Sequence, residues 1–240
     1  MLLLALAIAP GIAISLFIYS KDRYDREPLR YLVISFFLGM ISTIPALAIQ
    51  LLAGDIRSKA TSHIILSYAF FAYIVVALSE EGSKFLMLRL YAYPKKAFDE
   101  PFDGIVYSVM VGMGFATVEN IEYVYQFGVS TGIMRFFLAV PAHAAFAVLM
   151  GYYAGLAKKN PSSASWLLLK GLLIAVFFHG SFDFCIFLQQ NEKAAQYFST
   201  GLLSFGSFAS FYISFRLAMR AIRMQQALSK QEFDQHNLNN

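Results

Sequence analysis

The stretch 77–87 reads ALSEEGSKFLM and places two glutamates and a lysine inside an otherwise apolar segment. On a helix Glu80 and Lys84 are i,i+4 and Glu81 and Lys84 are i,i+3, so the ammonium group can reach either acid. Adjacent glutamates point about 100° apart, so one can face a cavity while the other holds Lys84. Further along, Glu119 precedes Asn120, His143 follows Pro141 by two residues, and His179 and Asp183 are i,i+4 on one face. In that last pair the carboxylate can orient the imidazole and fix its tautomer. Three chemistries fit these residue types. A buried glutamate can act as general base on water. Two histidines with one or two carboxylates can hold a metal that activates the water. A chain of Glu, His and Asp can relay protons or bind ions in a transporter. The competing structural reading is a buried network that only fixes helix packing.

The elements that carry these groups follow from composition. The chain has 240 residues, 58% hydrophobic and only 14% charged, with a net charge of +4. Typical soluble domains carry about 25% charged residues, so a water-facing surface cannot be covered from this inventory. Residues 1–20, 31–54, 60–79, 136–157 and 194–215 contain no Asp, Glu, Lys or Arg. Roughly 20 helical residues cross a hydrocarbon core of about 30 Å, so each run suffices for one span. Two further stretches, around 104–127 and 166–188, are long enough but carry ionisable groups. None alternates apolar with polar as barrel strands do. The prediction is an all-α, polytopic membrane protein with about seven transmembrane helices. Residues 1–220 form one transmembrane domain and residues 221–240 a polar cytoplasmic tail.

The first run is read as a retained helix bent at Pro10-Gly11, since neither a basic n-region nor a cleavage site marks it as a signal peptide. Thirteen Lys and Arg residues fall in the odd-numbered loops and the tail. Four (Arg57, Lys59, Arg135 and Lys193) fall on the other side. Positive charge stays cytoplasmic, which puts the N-terminus outside and the C-terminus inside. The single cysteine, Cys185, excludes an intrachain disulfide and reads as a small buried residue rather than a nucleophile. Pro45 and Pro141 are expected to kink their helices, and Gly112, Gly114, Gly151 and Gly155 to permit close helix packing. The mixed charges of Lys21–Glu27 are read as a topology determinant.

Against that background the ionisable groups are costly. Glu80, Glu81, Lys84, Glu119 and Asp183, taken singly at mid-membrane, would cost on the order of 12–17 kcal/mol. They must therefore meet one another or water, and their helices are consecutive, the third to the sixth. The predicted catalytic residues are Glu80, Glu81, His143 and His179, supported by Lys84, Glu119, Asn120 and Asp183. A zinc ion would draw three ligands from His143, His179 and Glu119 or Asp183 and leave one position open. A metal-free route needs only a glutamate. The chain has no H-E-x-x-H motif, so the two histidines come from different helices.

The ordered motif set resembles the PrsW family of intramembrane proteases, within the wider clan of CAAX prenyl endopeptidases. Its blocks are Tyr19-Ser20-Lys21-Asp22-Arg23-Tyr24 with Glu27-Pro28, then Glu80-Glu81-Gly82-Ser83-Lys84, then Asp99-Glu100-Pro101-Phe102-Asp103-Gly104-Ile105-Val106-Tyr107. Gly112-Met113-Gly114-Phe115-Ala116 with Glu119-Asn120 comes next, then His143 with Gly151-Tyr152, and His179-Gly180 with Asp183. The CAAX branch has a glutamate pair followed by Arg with three residues between, whereas here Lys84 follows with two between. The resemblance implies a water-activating role for Glu80 and Glu81 with His143 and His179 as the other polar essentials. Asp183 stands where the clan has Asn or Asp after its last histidine. It also implies a multi-pass protein of the cell membrane that hydrolyses a peptide bond of a membrane-anchored protein, in the pattern of the first cut in an anti-sigma factor. No nucleic-acid partner is expected. The alternatives are a proton- or ion-coupled transporter, which lacks support from inverted repeats or paired broken helices, and a catalytically inactive membrane scaffold.

Overall fold

The computed structural model describes residues 2–54 and 63–238, and these contain helices and no strand. Arg57 and Lys59, counted above on the outer side, lie outside the described residues. Six helical stretches are long and apolar enough to cross a membrane. The first is α1 (Leu2–Lys21), apolar on every face. The second comprises α2 (Leu29–Ile41) and α3 (Thr43–Ala53), interrupted at Ser42 three residues before Pro45, whose ring removes the donor for the Ile41 carbonyl. The third contains α4 (Ile64–Phe70) and α5 (Leu78–Met87), with π-helical turns at Phe71–Ala77 and Leu88–Ala92 on either side of α5.

The fourth stretch, Asp103–Lys159, holds α6 (Asp103–Phe137) and α7 (Ala139–Lys159). Its 57 residues would extend about 85 Å if straight, far beyond one bilayer. The chain instead reverses at Gly128, whose φ of 79° is a backbone state that a Cβ disfavours. Contacts between Gly132 and Val124, between Asn120 and Arg135, and between Gly104 and Gly151 show the two arms running antiparallel. A second interruption, at Leu138, precedes Pro141 by three residues, the same offset as at Pro45. Both expected proline kinks thus appear as breaks one turn upstream, where the carbonyl loses its partner.

The last two stretches are α8 (Ala164–Gln189) and α9 (Thr200–Leu238). The 39 residues of α9 reach about 58 Å, roughly twice a hydrocarbon core. Its polar second half is not a loose extension. Gln225 is fully buried and donates to the Tyr152 carbonyl (2.8 Å), Gln226 donates to that of Lys21 (2.7 Å), and Lys159 pairs with Glu232 (2.6 Å). The polar tail expected over residues 221–240 is, up to Leu238, a helix docked on the body.

The surface is apolar where the core of a soluble protein would be. Leu52 and Leu90 are 88% and 71% exposed, with Ile44, Phe137 and Phe205 similarly bare. Such a surface is stable against acyl chains and not against water. The interior is built on α6, whose residues from Asp103 to Thr117 are all buried. Close approach is what lets it sit there. A side chain at Gly39 or Gly114 would collide with the backbone of Val111 or Phe36 respectively. Gly151 and Gly155 seat against Gly104 and Pro101 of the same chain, so their G-x-x-x-G step is spent internally.

Candidate active site

Four stretches converge on one polar centre. α5 supplies Glu80, Glu81 and Lys84, the first arm of α6 supplies Glu119, α7 supplies His143, and α8 supplies His179 and Asp183. The π-helical turns before α5 matter for aim, since each residue they insert rotates the downstream side chains by about 100° relative to an uninterrupted helix. On α8, the Tyr73 ring lies against Gly180, where any side chain would overlap it, and its hydroxyl is 2.8 Å from Ser181 Oγ. These contacts fix the turn that presents His179. Phe146 stacks on that imidazole at 5.3 Å and 18°.

Within the centre, the two glutamates differ as their angular separation predicts. Glu81 is held from two sides. Its Oε1 accepts from Lys84 Nζ at 2.8 Å and lies 2.9 Å from His179 Nδ1. Glu80 is held on one oxygen only, where Oε1 accepts from Gln50 Nε2 at 3.2 Å. Its Oε2 is buried without a hydrogen-bond partner, 3.7 Å from Lys84 Nζ and 3.8 Å from His179 Nε2. Glu80, and not Glu81, lines a cavity of about 620 Å³ that also exposes Glu119, His143, His179 and Asp183.

The histidines are oriented by acids on their outer sides. His143 Nε2 is 2.8 Å from Glu119 Oε2, and its Nδ1 is 3.2 Å from Lys84 Nζ. An ammonium group only donates, so Nδ1 is the acceptor and Nε2–H the donor to Glu119. His179 faces carboxylates with both nitrogens, Glu81 at 2.9 Å and Asp183 Oδ2 at 3.2 Å. The two rings are 5.0 Å apart and perpendicular. Ligand atoms of Glu80, His143 and His179 all lie within 4.8 Å of one another, so these three residues could hold a metal ion. Glu119 and Asp183, the carboxylates expected to complete such a set, instead bond to the histidines, the position from which acids orient metal-binding imidazoles.

All eight sequence-predicted residues belong to this network, but not in equal ways. Lys84 is buried behind the glutamates with its Nζ 4.0 Å over the Phe115 ring. Asn120 points away from the cavity and donates to the Leu6 and Ala7 carbonyls of α1 at 3.1 and 3.0 Å. The Leu6 carbonyl is the one that Pro10 leaves without a helical donor, so the amide repairs a break four residues upstream of that proline. Two members were missed. Gln50 is the one amide in the run 31–54, a signal that was available. Arg135, counted above as a loop charge, donates from Nη2 to Glu119 Oε2 (2.9 Å) and from Nε to Asn120 Oδ1 (2.9 Å), and lies 4.1 Å over the Tyr123 ring. Its role depends on the reversal at Gly128.

A model of the PrsW family intramembrane metalloprotease matches residues 27–214. The chain is 37% identical to Protease PrsW of Geobacillus kaustophilus over 189 residues, covering 79% of this chain and 81% of that protein. Protease PrsW of Bacillus subtilis is also 37% identical, over 191 residues, with 79% and 84% covered. The corresponding protein of Clostridioides difficile is 37% identical over 194 residues, with 78% and 80% covered. No solved structure matches the chain. With a membrane-spanning helical body, a buried centre of acids and histidines, and this likeness over nearly four fifths of its length, the chain belongs to the PrsW family of intramembrane metalloproteases.

Proposed function

We propose that the centre hydrolyses a peptide bond of a membrane-anchored protein and that Glu80 Oε2 is the oxygen at which the reaction begins. The observation that carries this reading is that, of the two glutamates with an unpartnered buried oxygen, Glu80 and not Glu81 lines the cavity beside both histidines. Glu81 is unsuited to the task, because it does not line the cavity and its Oε1 is shared by Lys84 and His179. As general base, Glu80 Oε2 takes a proton from water and returns it to the leaving amine, while Lys84 keeps the acid pair from carrying uncompensated charge.

The donor set of Glu80, His143 and His179 suits zinc, with two imidazoles, one carboxylate and room for a fourth ligand. Zinc bound there would lower the pKa of its water and polarise the scissile carbonyl, so Glu80 would be a ligand in that route and the general base in the metal-free one. To bind it, each histidine must release one nitrogen from its present partner, Lys84 or Glu119 for His143 and Glu81 or Asp183 for His179. The other nitrogen stays fixed by the partner that remains, which sets the ring's angle.

The reading includes seven passes with the N-terminus outside, placement in the cell membrane, and an anti-sigma factor as substrate. It is supported by the charge asymmetry of the loops and by the family. Reporter fusions at residues 95, 158 and 230 should all report cytoplasm. Metal analysis of the detergent-purified chain should find one zinc per chain, lost in His143→Ala, with chelation stopping cleavage of a membrane-anchored substrate. Cleavage by verified metal-free protein would reject zinc and leave Glu80 as sole activator of water. Cleavage by Glu80→Gln at the parent rate would end the whole reading.

A further inference from the structure

A second set of buried acids lies at the other end of α6. The sixteen residue steps from Asp103 to Glu119 separate it from the histidine centre by about 24 Å along the helix. It joins two sequence blocks that the catalytic reading leaves unused, the α1–α2 loop (Asp22, Glu27) and the segment leading into the first residue of α6 (Asp99, Glu100, Asp103). Asp22, Glu27 and Asp103 are at most 3% exposed and Glu100 is 8% exposed. That burial is not what a topology-determining loop requires.

In this set Glu27, Glu100 and Asp103 each keep one buried oxygen without a partner. Asp103 Oδ2 accepts the backbone N–H of Asp99 (2.8 Å) and of Glu100 (2.6 Å), while its Oδ1 is buried with no partner. Glu27 Oε2 accepts from the Tyr107 hydroxyl, and its Oε1 is buried with no partner. Glu100 Oε2 is likewise buried and unpartnered. Asp22 Oδ2 accepts the Glu27 N–H at 3.0 Å. Asp22, Glu100 and Asp103 each present an oxygen within 4.8 Å of the other two. That is the separation of oxygens ligating one cation at about 2.4 Å.

No Lys or Arg side chain forms an ion pair with these acids among the described residues. Arg26 Nε turns to the Asp22 backbone carbonyl (3.2 Å). Lys158 Nζ is spent on the Tyr93 and Lys95 carbonyls (2.8 and 3.2 Å), and Lys159 on Glu232. Buried like charges without a counter-ion either take up protons or hold a cation. The donor set is all oxygen, with no imidazole or thiolate, which selects hard divalent ions over zinc or copper.

We propose that Asp22, Glu100 and Asp103 form a binding site for a hard divalent cation, calcium or magnesium, with Glu27 beside it. The ion ties the α1–α2 loop to the start of the helix that carries Glu119. It also braces the docked half of α9, because Ser229 Oγ accepts the Phe102 N–H at 3.3 Å on the same turn.

The test uses the full chain in detergent, stripped with EDTA and titrated with calcium chloride or magnesium chloride separately, read by calorimetry and by thermal unfolding. The expected result is saturable binding of one ion and a higher melting temperature on its addition. Asp103→Asn/Glu100→Gln keeps the acceptor for the two backbone N–H groups and should abolish both effects. Asp22→Asn, which removes a ligand from the other segment, should weaken binding about tenfold or more. His143→Ala/His179→Ala should bind the ion as the parent chain does. Absence of saturable binding by the parent chain, parent-like affinity in either acid variant, or loss of binding in the histidine variant would each overturn the assignment.

Discussion

Both ends of the first arm of α6 bury acids, and they neutralise them in opposite ways. At the histidine centre every acid has a charged or ionisable partner. Lys84 serves Glu81 and Glu80, Arg135 and His143 serve Glu119, and His179 serves Asp183. At the Asp103 end the acids face one another, backbone N–H groups and a tyrosine hydroxyl, with basic side chains turned elsewhere. The first arrangement holds its charge within the protein and presents Glu80, with its unpartnered Oε2, to the cavity for chemistry. The second leaves several oxygens of one sign and therefore needs something from outside, proton or cation. Buried acids of one sign call for an outside charge where their counter-charges are missing, which the count of acids alone does not reveal.

The sharpest test of that contrast lies between neighbours. Glu80→Gln should lower cleavage about 100- to 10,000-fold, the usual contribution of a general base, with no loss of melting temperature. Glu81→Gln should lower cleavage too, but also stability, because the only carboxylate Lys84 then keeps nearby is Glu80 at 3.7 Å. Kinetics and thermal unfolding of the two variants side by side read this out. Equal loss of stability in both would erase the distinction drawn from their partners.

Arg135 gives the next largest effect. Arg135→Gln removes the guanidinium from a pair that is 12% and 18% exposed, leaving Glu119 to His143 alone. The expected cost is about 3 kcal/mol of stability, with lower activity because His143 loses its fixed acceptor. Arg135→Lys should recover less than half, since one ammonium group cannot reach Glu119 and Asn120 as the fork does. Denaturant or thermal unfolding in detergent decides it, and full rescue by lysine would show that charge alone matters.

These residues also mark what was legible in the sequence. Charge-free runs and their lengths located the membrane-spanning helices, including the division near 127–136 that the structure makes at Gly128. The cost of burying Glu80, Glu81, Lys84, Glu119 and Asp183 pointed to their convergence, since isolated charges there are untenable. What stayed hidden was any contact set by a turn. Arg135 reads as a loop charge until the chain reverses and lays it beside Glu119. The acid cluster was hidden for the same reason, because Asp22 and Asp103 are eighty-one positions apart and meet only through the packing of α1 and α2 on α6. Polarity misled at α9, where Gln225 and Ser229 look like solvent-facing residues but are buried.

A smaller effect probes the joint between α1 and α6. Asn120→Ala should cost about 1–2 kcal/mol, by removing the donor that replaces the one Pro10 lacks. Asn120→Asp should cost more, because a carboxylate would face the Leu6 and Ala7 carbonyls as well as losing the amide donor. Melting temperatures in the order parent, Ala, Asp support the repair, whereas Ala at or above the parent would refute it.

The smallest effect is a pH dependence that separates protons from cations at the Asp103 end. Asp22, Glu27 and Glu100 are pushed up by burial, to about 6, 7 and 7. Asp25, Arg26, Asp99, Asp103, Tyr107, Lys158 and Lys159 are the other charged or titratable groups around them. A raised carboxylate value means the folded chain binds protons more tightly than the unfolded one. Its stability without a cation is therefore lowest above about pH 7 and rises as pH falls through that value toward the unfolded carboxylate range near 4. A cation competes with those protons. The rise in melting temperature on adding calcium or magnesium to the EDTA-stripped chain should accordingly be largest near pH 8 and shrink toward about pH 5.5. Asp103→Asn/Glu100→Gln, measured alongside, subtracts the titration of every other acid. A cation effect that is the same at both pH values, or larger at the acidic one, would mean the ion does not contact these carboxylates.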